Sequence, residues 1–225
     1  MEIVSPVKVK VCCITSPEEA RIAVSYGVAA IGMVDETPTG EGRIPVEQMA
    51  EIVRSIPEST GTFVLTSATN TDQLADLYVA SGVKTLQLWD PLKPADYEDL
   101  RSRFPGIFIA QSIHVVEADA MEVARRVSRH VDALVLDSGR SEPPFRWRNP
   151  AGETHDWEIS RTISEAIQLP VLLAGGLNAE NVCQAVRVVR PYGVDVCSGV
   201  RKDGRLDKSL LVAFLETVSR PQCAD

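Results

Sequence analysis

The sequence is short of the residues that usually advertise chemistry. It has three histidines, His114, His130 and His155, and aromatic residues make up 5% of it. Its five cysteines, Cys12, Cys13, Cys183, Cys197 and Cys223, contain no C-x-x-C pair and no Cys/His spacing of a zinc site. An odd set of unpatterned cysteines reads as reduced thiols in a cytoplasmic protein without metal. No apolar run exceeds strand length, Ala133-Leu134-Val135-Leu136 being typical, so no segment is expected to cross a membrane. The opening MEIVSPVKVK lacks the hydrophobic centre of a secretory leader. Positive charge is scarce too: 23 Lys and Arg against 31 Asp and Glu leave a formal charge of −8, which argues against nucleic acid as the partner.

What remains is ordinary globular material, 44% apolar and 24% charged over 225 residues, expected to form one domain over residues 1–225. The tripeptides Tyr26-Gly27-Val28, Ser81-Gly82-Val83 and Tyr192-Gly193-Val194 each close a helical pattern and open a β-rich run. A glycine there supplies the left-handed residue that ends a helix. Strands are predicted at 7–14, 28–34, 62–66, 83–89, 107–113, 132–137, 170–174 and 193–197, with helical spacing between them, as in Val182, Val186 and Val189. Ser16, Pro17 and Glu19 read as N-cap, first helical residue and capping box. Eight β–α pairs at about 28 residues each match a single-domain α/β (β/α)8 TIM barrel. A doubly wound open sheet is the alternative, because periodicity does not report closure.

In a barrel the loops that follow strands gather on one face, where catalysis is done. Segments 35–45 and 138–157 are both such loops, and the second carries Arg140, Arg146 and Arg148. Side-chain alternation in VKVKVCC puts Lys10 and Cys12 on the inward face, about 6.6 Å apart along the strand, and turns Cys13 toward the helices. A cation beside a cysteine favours thiolate. Asp137 closes strand six on the face of Ala133 and Val135, as a cap or as an acid opposite Cys12. Gln87 and Trp89 share a face of strand four, and His114 ends strand five as either a catalytic or a structural histidine. Leu173-Ala174-Gly175-Gly176-Leu177-Asn178 and Cys197-Ser198-Gly199-Val200 end strands seven and eight. Barrels hold phosphate at these two loops, so Gly175, Gly176, Asn178, Ser198 and Gly199 are the expected phosphate ligands. A small phosphorylated substrate is therefore expected.

Taken in order, these residues resemble the phosphoribosylanthranilate isomerase family. The stretches are Lys10-Val11-Cys12-Cys13-Ile14-Thr15, Leu86-Gln87-Leu88, Leu136-Asp137-Ser138, Gly152 with His155-Asp156-Trp157, the Gly175–Gly176 loop, and Gly193 through Val200. The resemblance implies the same barrel and an Amadori rearrangement of N-(5'-phosphoribosyl)anthranilate without cofactor or metal. It implies Asp137 as the acid, Cys12 as the base, and Arg43, Gln87 and Asp195 as further substrate ligands, in a monomer or homodimer. Serving at neutral pH, Cys12 would need a pKa lowered from about 8.5, and Asp137 one raised from about 3.9. Four places depart from the family pattern. Cys13 stands where glycine is usual, and Trp89 where histidine follows Q-L. Asn149-Pro150-Ala151-Gly152 stands where G-G-T-G is usual, and a longer loop ends Glu41-Gly42-Arg43 in place of S-P-R. They leave open a paralogue acting on a different phosphorylated sugar, or a phosphosugar-binding protein without catalysis.

Overall fold

Strand and helix alternate along the chain, and the first strand pairs with the last. The computed structural model describes residues 7–38, 40, 42–115, 119–137 and 157–223. The elements run β1 (Lys8–Val11), α1 (Pro17–Ser25), β2 (Ala30–Val34), α2 (Val46–Arg54), β3 (Gly61–Thr66), α3 (Thr71–Ser81), β4 (Thr85–Leu88) and α4 (Pro94–Arg103). They continue β5 (Phe108–His114), α5 (Ala120–Val127), β6 (Ala133–Asp137), α6 (Trp157–Ala166), β7 (Val171–Leu173), α7 (Val182–Val189), β8 (Gly193–Val196) and α8 (Lys208–Val218). All eight strands are parallel neighbours, and β1 closes onto β8 through Lys8↔Gly193, Val9↔Val194, Lys10↔Asp195 and Val11↔Val196. Closure decides against the open sheet. Between β8 and α8, β9 (Arg201–Lys202) and β10 (Arg205–Leu206) form a short hairpin.

Alternation along each strand creates two apolar compartments. One set of side chains, Val9, Val11, Ile31, Met33, Val64, Leu86, Ile109, Leu134 and Val194 among them, packs against the helices. The opposite set holds a small interior cluster of Ala110, Ala133, Val135, Leu172 and Ala174, with Phe63 against it. Such small residues leave the barrel axis to the polar inward side chains Lys10, Gln87, Ser112 and Asp195, all buried. Polar groups that are costly to bury therefore gather where they can reach one another or a substrate.

Three local features differ from the expectations. Gly27 and Gly82 do adopt left-handed φ, 86° and 67°, but α7 ends on Arg190 at φ 51°. Gly193 instead opens β8, where a Cβ would lie 2.6 Å from the Lys8 carbonyl oxygen, so close strand approach is what demands glycine there. Ser16 Oγ accepts from the Glu19 amide at 3.2 Å as a cap should, yet the Glu19 carboxylate accepts from Thr15 N at 2.9 Å rather than from Ser16. It also accepts from Leu206 N at 2.9 Å and pairs with Arg201 at 3.0 Å, which ties α1 to the hairpin. Finally, β1 is shorter than 7–14. Cys12 N still donates to Val196 O (2.8 Å) and Ile14 N to Gly32 O (2.9 Å), but Cys13 at φ 58° interrupts the extended chain.

The expectation of five reduced thiols is corrected. Cys183 on α7 and Cys223 beyond α8 form a disulfide, closing a separation of 40 residues. Cysteine spacing alone does not reveal a pairing made when the turn after α8 packs against α7. No helix among the described residues is long and apolar enough to cross a membrane. Most of the expected loop 138–157, with Arg140, Arg146, Arg148, Asn149, Pro150, Ala151, Gly152, His155 and Asp156, lies outside the described residues.

Candidate active site

Cys12 follows the last residue of β1 and is buried with its side chain inward, as the alternation predicts. Gly32 on β2 makes the room. A Cβ at that glycine would meet Lys10 Nζ at 2.9 Å and Cys12 Sγ at 3.0 Å, so ammonium and sulfur border one small volume. Lys10 Nζ is 2.6 Å from Asp195 Oδ2 across the β1–β8 seam, with side chains only 1% and 6% exposed. Burial disfavours the Lys10 charge, but Asp195, together with Cys12 and Cys13, outweighs that and holds the ammonium above its ordinary value. Asp195 Oδ1 is buried with no hydrogen-bond partner among the described residues, leaving an acceptor at the bottom of the mouth.

Cys13 is the main correction. It does not point into the helix layer; left-handed backbone at φ 58° turns it over the rim, where its Sγ lies 2.7 Å from Cys197 Sγ after β8. The lowered pKa expected for Cys12 is not found either. Its hydrogen bond to Cys13, then its burial, push the Cys12 thiol well above the ordinary value, against the pull of Lys10. Cys13 is likewise raised: its bond to Cys197, together with burial, outweighs the lowering effect of its bond to Cys12.

The far side of the mouth is built by β4, β5 and β6. Gln87 Nε2 donates to Ser112 Oγ at 3.2 Å, and Gln87 Oε1 is buried without a partner among the described residues. Two residues further along the same strands, Trp89 and His114 face each other with ring centroids 4.7 Å apart, above the Gln87–Ser112 pair. His114 is in register with Asp137, which continues the inward face of Ala133 and Val135 and is half-buried.

The loops after β7 and β8 meet. Gly175 and Gly176 take left-handed φ of 89° and 65°. Gly199 presses on the first loop so closely that a Cβ would lie 1.9 Å from the Leu177 carbonyl oxygen. Asn178 does not begin α7 itself: its Oδ1 accepts from Glu180 N (2.8 Å) and Asn181 N (3.2 Å), forming a turn ahead of the helix. Asn181 Nδ2 then donates to Gly176 O at 2.9 Å. Ser198 is exposed at the start of a three-residue 3₁₀ turn. Arg43 is exposed, its backbone bridged to Val34, and the preceding Gly42 lies against Cys13, so the loop after β2 returns to this same rim.

All the residues expected at the site thus lie on inward faces or loops at one end of the barrel. Sequence reading missed the Lys10–Asp195 pair and the Cys13–Cys197 contact; inward-facing charges on the first and last strands were the available clue to the former. Among the described residues no group of three or more His, Cys, Asp or Glu side chains is placed to hold a metal ion.

Comparison with known proteins agrees with the barrel fold. Residues 9–217 match the family model described as N-(5'-phosphoribosyl)anthranilate (PRA) isomerase. An N-(5'-phosphoribosyl)anthranilate isomerase of Haloferax volcanii is 35% identical over 210 residues, covering 92% of this chain and 91% of that one. The structure of the Pyrococcus furiosus isomerase superposes with TM-score 0.76 at 30% identity, covering 94% and 98% of the two chains. A phosphoribosyl anthranilate isomerase solved in complex with reduced 1-(o-carboxyphenylamino)-1-deoxyribulose 5-phosphate gives TM-score 0.78 at 25% identity, with the same coverage. With a family match across nearly the whole barrel and relatives above 30% identity along the same span, this chain belongs to the N-(5'-phosphoribosyl)anthranilate isomerase family.

Proposed function

We infer that the chain is an isomerase of tryptophan biosynthesis. It converts N-(5'-phosphoribosyl)anthranilate to 1-(2-carboxyphenylamino)-1-deoxyribulose 5-phosphate. The observation that carries the residue assignment is the shared rim: Cys12 and Asp137 sit on the two strands, β1 and β6, that flank the touching loops of β7 and β8. A phosphorylated sugar anchored at Gly175, Gly176, Asn178, Ser198 and Gly199 would lie between them.

Asp137 acts as the acid. It donates a proton to the furanose ring oxygen as the C1'–O bond breaks and the nitrogen lone pair forms the C1'=N iminium. Cys12, as thiolate, takes the C2' proton, and that electron pair becomes the C1'=C2' bond of an enolamine. Tautomerisation moves a proton to C1' and leaves the ketone at C2'. The reactive form has the proton on Asp137 and the negative charge on Cys12. The raised Cys12 pKa opposes this in the unliganded site. The iminium generated beside the sulfur favours thiolate at the moment it is needed. Asp195 Oδ1 accepts from a sugar hydroxyl or the bridging amine, Gln87 orients the substrate, and Arg43 supplies positive charge for the anthranilate carboxylate.

The test is an assay of phosphoribosylanthranilate turnover, with growth of a tryptophan auxotroph as a second readout. Wild type should be active, and Cys12→Ser and Asp137→Asn should each lose at least about 100-fold in kcat, as removal of a general acid or base does. Folded wild-type protein without this activity would refute the reading.

A further inference from the structure

We propose that His114 contacts the substrate, and that with Trp89 it forms the wall that selects a carboxylate-bearing aromatic amine as the aglycone. This rests on the isomerase reading and extends it to a residue outside the acid–base pair and the phosphate loops.

The first support is an unmet demand for hydrogen bonds. His114 is 8% exposed, and both Nδ1 and Nε2 are buried with no hydrogen-bond partner among the described residues. Nine in ten or more buried polar groups in proteins are paired, and an orphan costs about 1–3 kcal/mol. A histidine kept for structure would have its ring nitrogens satisfied by its surroundings. Among the described residues its side chain packs against the Trp89 ring in a tilted contact.

The second support is where that demand sits. β5 places Ala110 in the interior cluster and Ser112 against Gln87, so His114 is the next inward side chain toward the mouth. The phosphate loops follow β7 and β8, and the acid and base stand on β6 and β1. A substrate with its phosphate over β7–β8 and its sugar between Cys12 and Asp137 must direct its amine substituent away from them, across the mouth. β4 and β5 lie on that side, and they present Trp89 and His114.

The third support is chemical fit. Anthranilate is a flat apolar ring bearing one carboxylate. The Trp89 indole offers an apolar face suited to ring packing. A His114 N–H offers a buried donor for the carboxylate, where a hydrogen bond to charge is stronger than in water. Arg43, exposed on the rim, adds charge but no buried donor.

Calorimetric titration with two ligands tests this. One is reduced 1-(o-carboxyphenylamino)-1-deoxyribulose 5-phosphate, which carries the aglycone; the other is ribulose 5-phosphate, which does not. His114→Ala should weaken the first by about 10- to 100-fold, the value of a hydrogen bond to a charged group, and leave the second within about twofold. His114→Gln, which retains a donor, should recover part of the loss and serves alone if the alanine variant does not fold. In steady-state kinetics both variants should raise KM more than they lower kcat. Equal weakening of both ligands, or no change in either, would overturn the proposal while active wild type left the isomerase reading intact. Wild type that binds ribulose 5-phosphate but neither binds nor turns over the aglycone-bearing compounds would overturn both.

Discussion

Lys10 and Asp195 form a buried ion pair, Nζ to Oδ2 2.6 Å, at the seam where β1 meets β8. Removing one partner strands the other charge in a site of low dielectric. Asp195→Asn should therefore destabilise the fold by about 3–5 kcal/mol, read as a lower urea midpoint at unchanged m-value. A loss below about 1 kcal/mol would mean that water reaches the ammonium.

Two glycines allow the proposed anchoring loops and the proposed base to be tested separately. Gly199→Ala forces a methyl into the Leu177 carbonyl and must push the β7 and β8 loops apart. The expected result is a KM at least about tenfold higher, the equivalent of about 1.4 kcal/mol of lost binding. Gly32→Ala crowds Lys10 Nζ and Cys12 Sγ instead, and should lower kcat with a smaller change in KM. Identical kinetic signatures for the two variants would show that the loops and the thiol are not separate devices.

Cys13 raises the pKa of Cys12 through their hydrogen bond and occupies backbone that suits glycine. With one proton shared between acid and base, the alkaline limb of the pH–rate profile reports loss of that proton, mainly from Cys12. The wild-type limb should lie above the ordinary thiol value of about 8.5. Cys13→Gly removes the bond, so the limb should move to lower pH. Relief of the left-handed residue should also stabilise the protein by about 1 kcal/mol. A limb that stays in place would dissociate Cys13 from the base.

Cys13 Sγ and Cys197 Sγ, 2.7 Å apart, are positioned for oxidation. Diamide, which accepts two electrons and two protons as it becomes the hydrazine, should convert the two thiols to a disulfide. Peptide mapping should find this new link beside Cys183–Cys223. Activity should fall, because the bond welds the residue after Cys12 to the residue before Ser198, and dithiothreitol should restore it. Cys197→Ser should remove the response. Oxidative loss that persists in that variant would point to Cys12 itself.

Much of the barrel could be read from local pattern, because strand alternation and helical spacing are short-range consequences of backbone geometry. The inward placement of Lys10, Cys12, Gln87 and Asp137 follows from counting along a strand, and the two glycine loops from their position after β7 and β8. Local pattern failed where one residue left it: Cys13 at φ 58° breaks the count, so its side chain turned out opposite to expectation.

The remaining features depend on which distant segments meet. Lys10 finds Asp195 across 185 residues, and Cys13 finds Cys197 across 184, only because the sheet closes on itself. Periodicity within a strand carries no information about its partner at the far end of the chain. The Cys12 thiol lies high rather than low chiefly through its hydrogen bond to the adjacent Cys13, then through burial inside the closed barrel. Composition and spacing thus set the faces and the loops, whereas the Lys10–Asp195 pair beside the Cys12 sulfur arose from long-range packing, because only barrel closure brings β1 against β8.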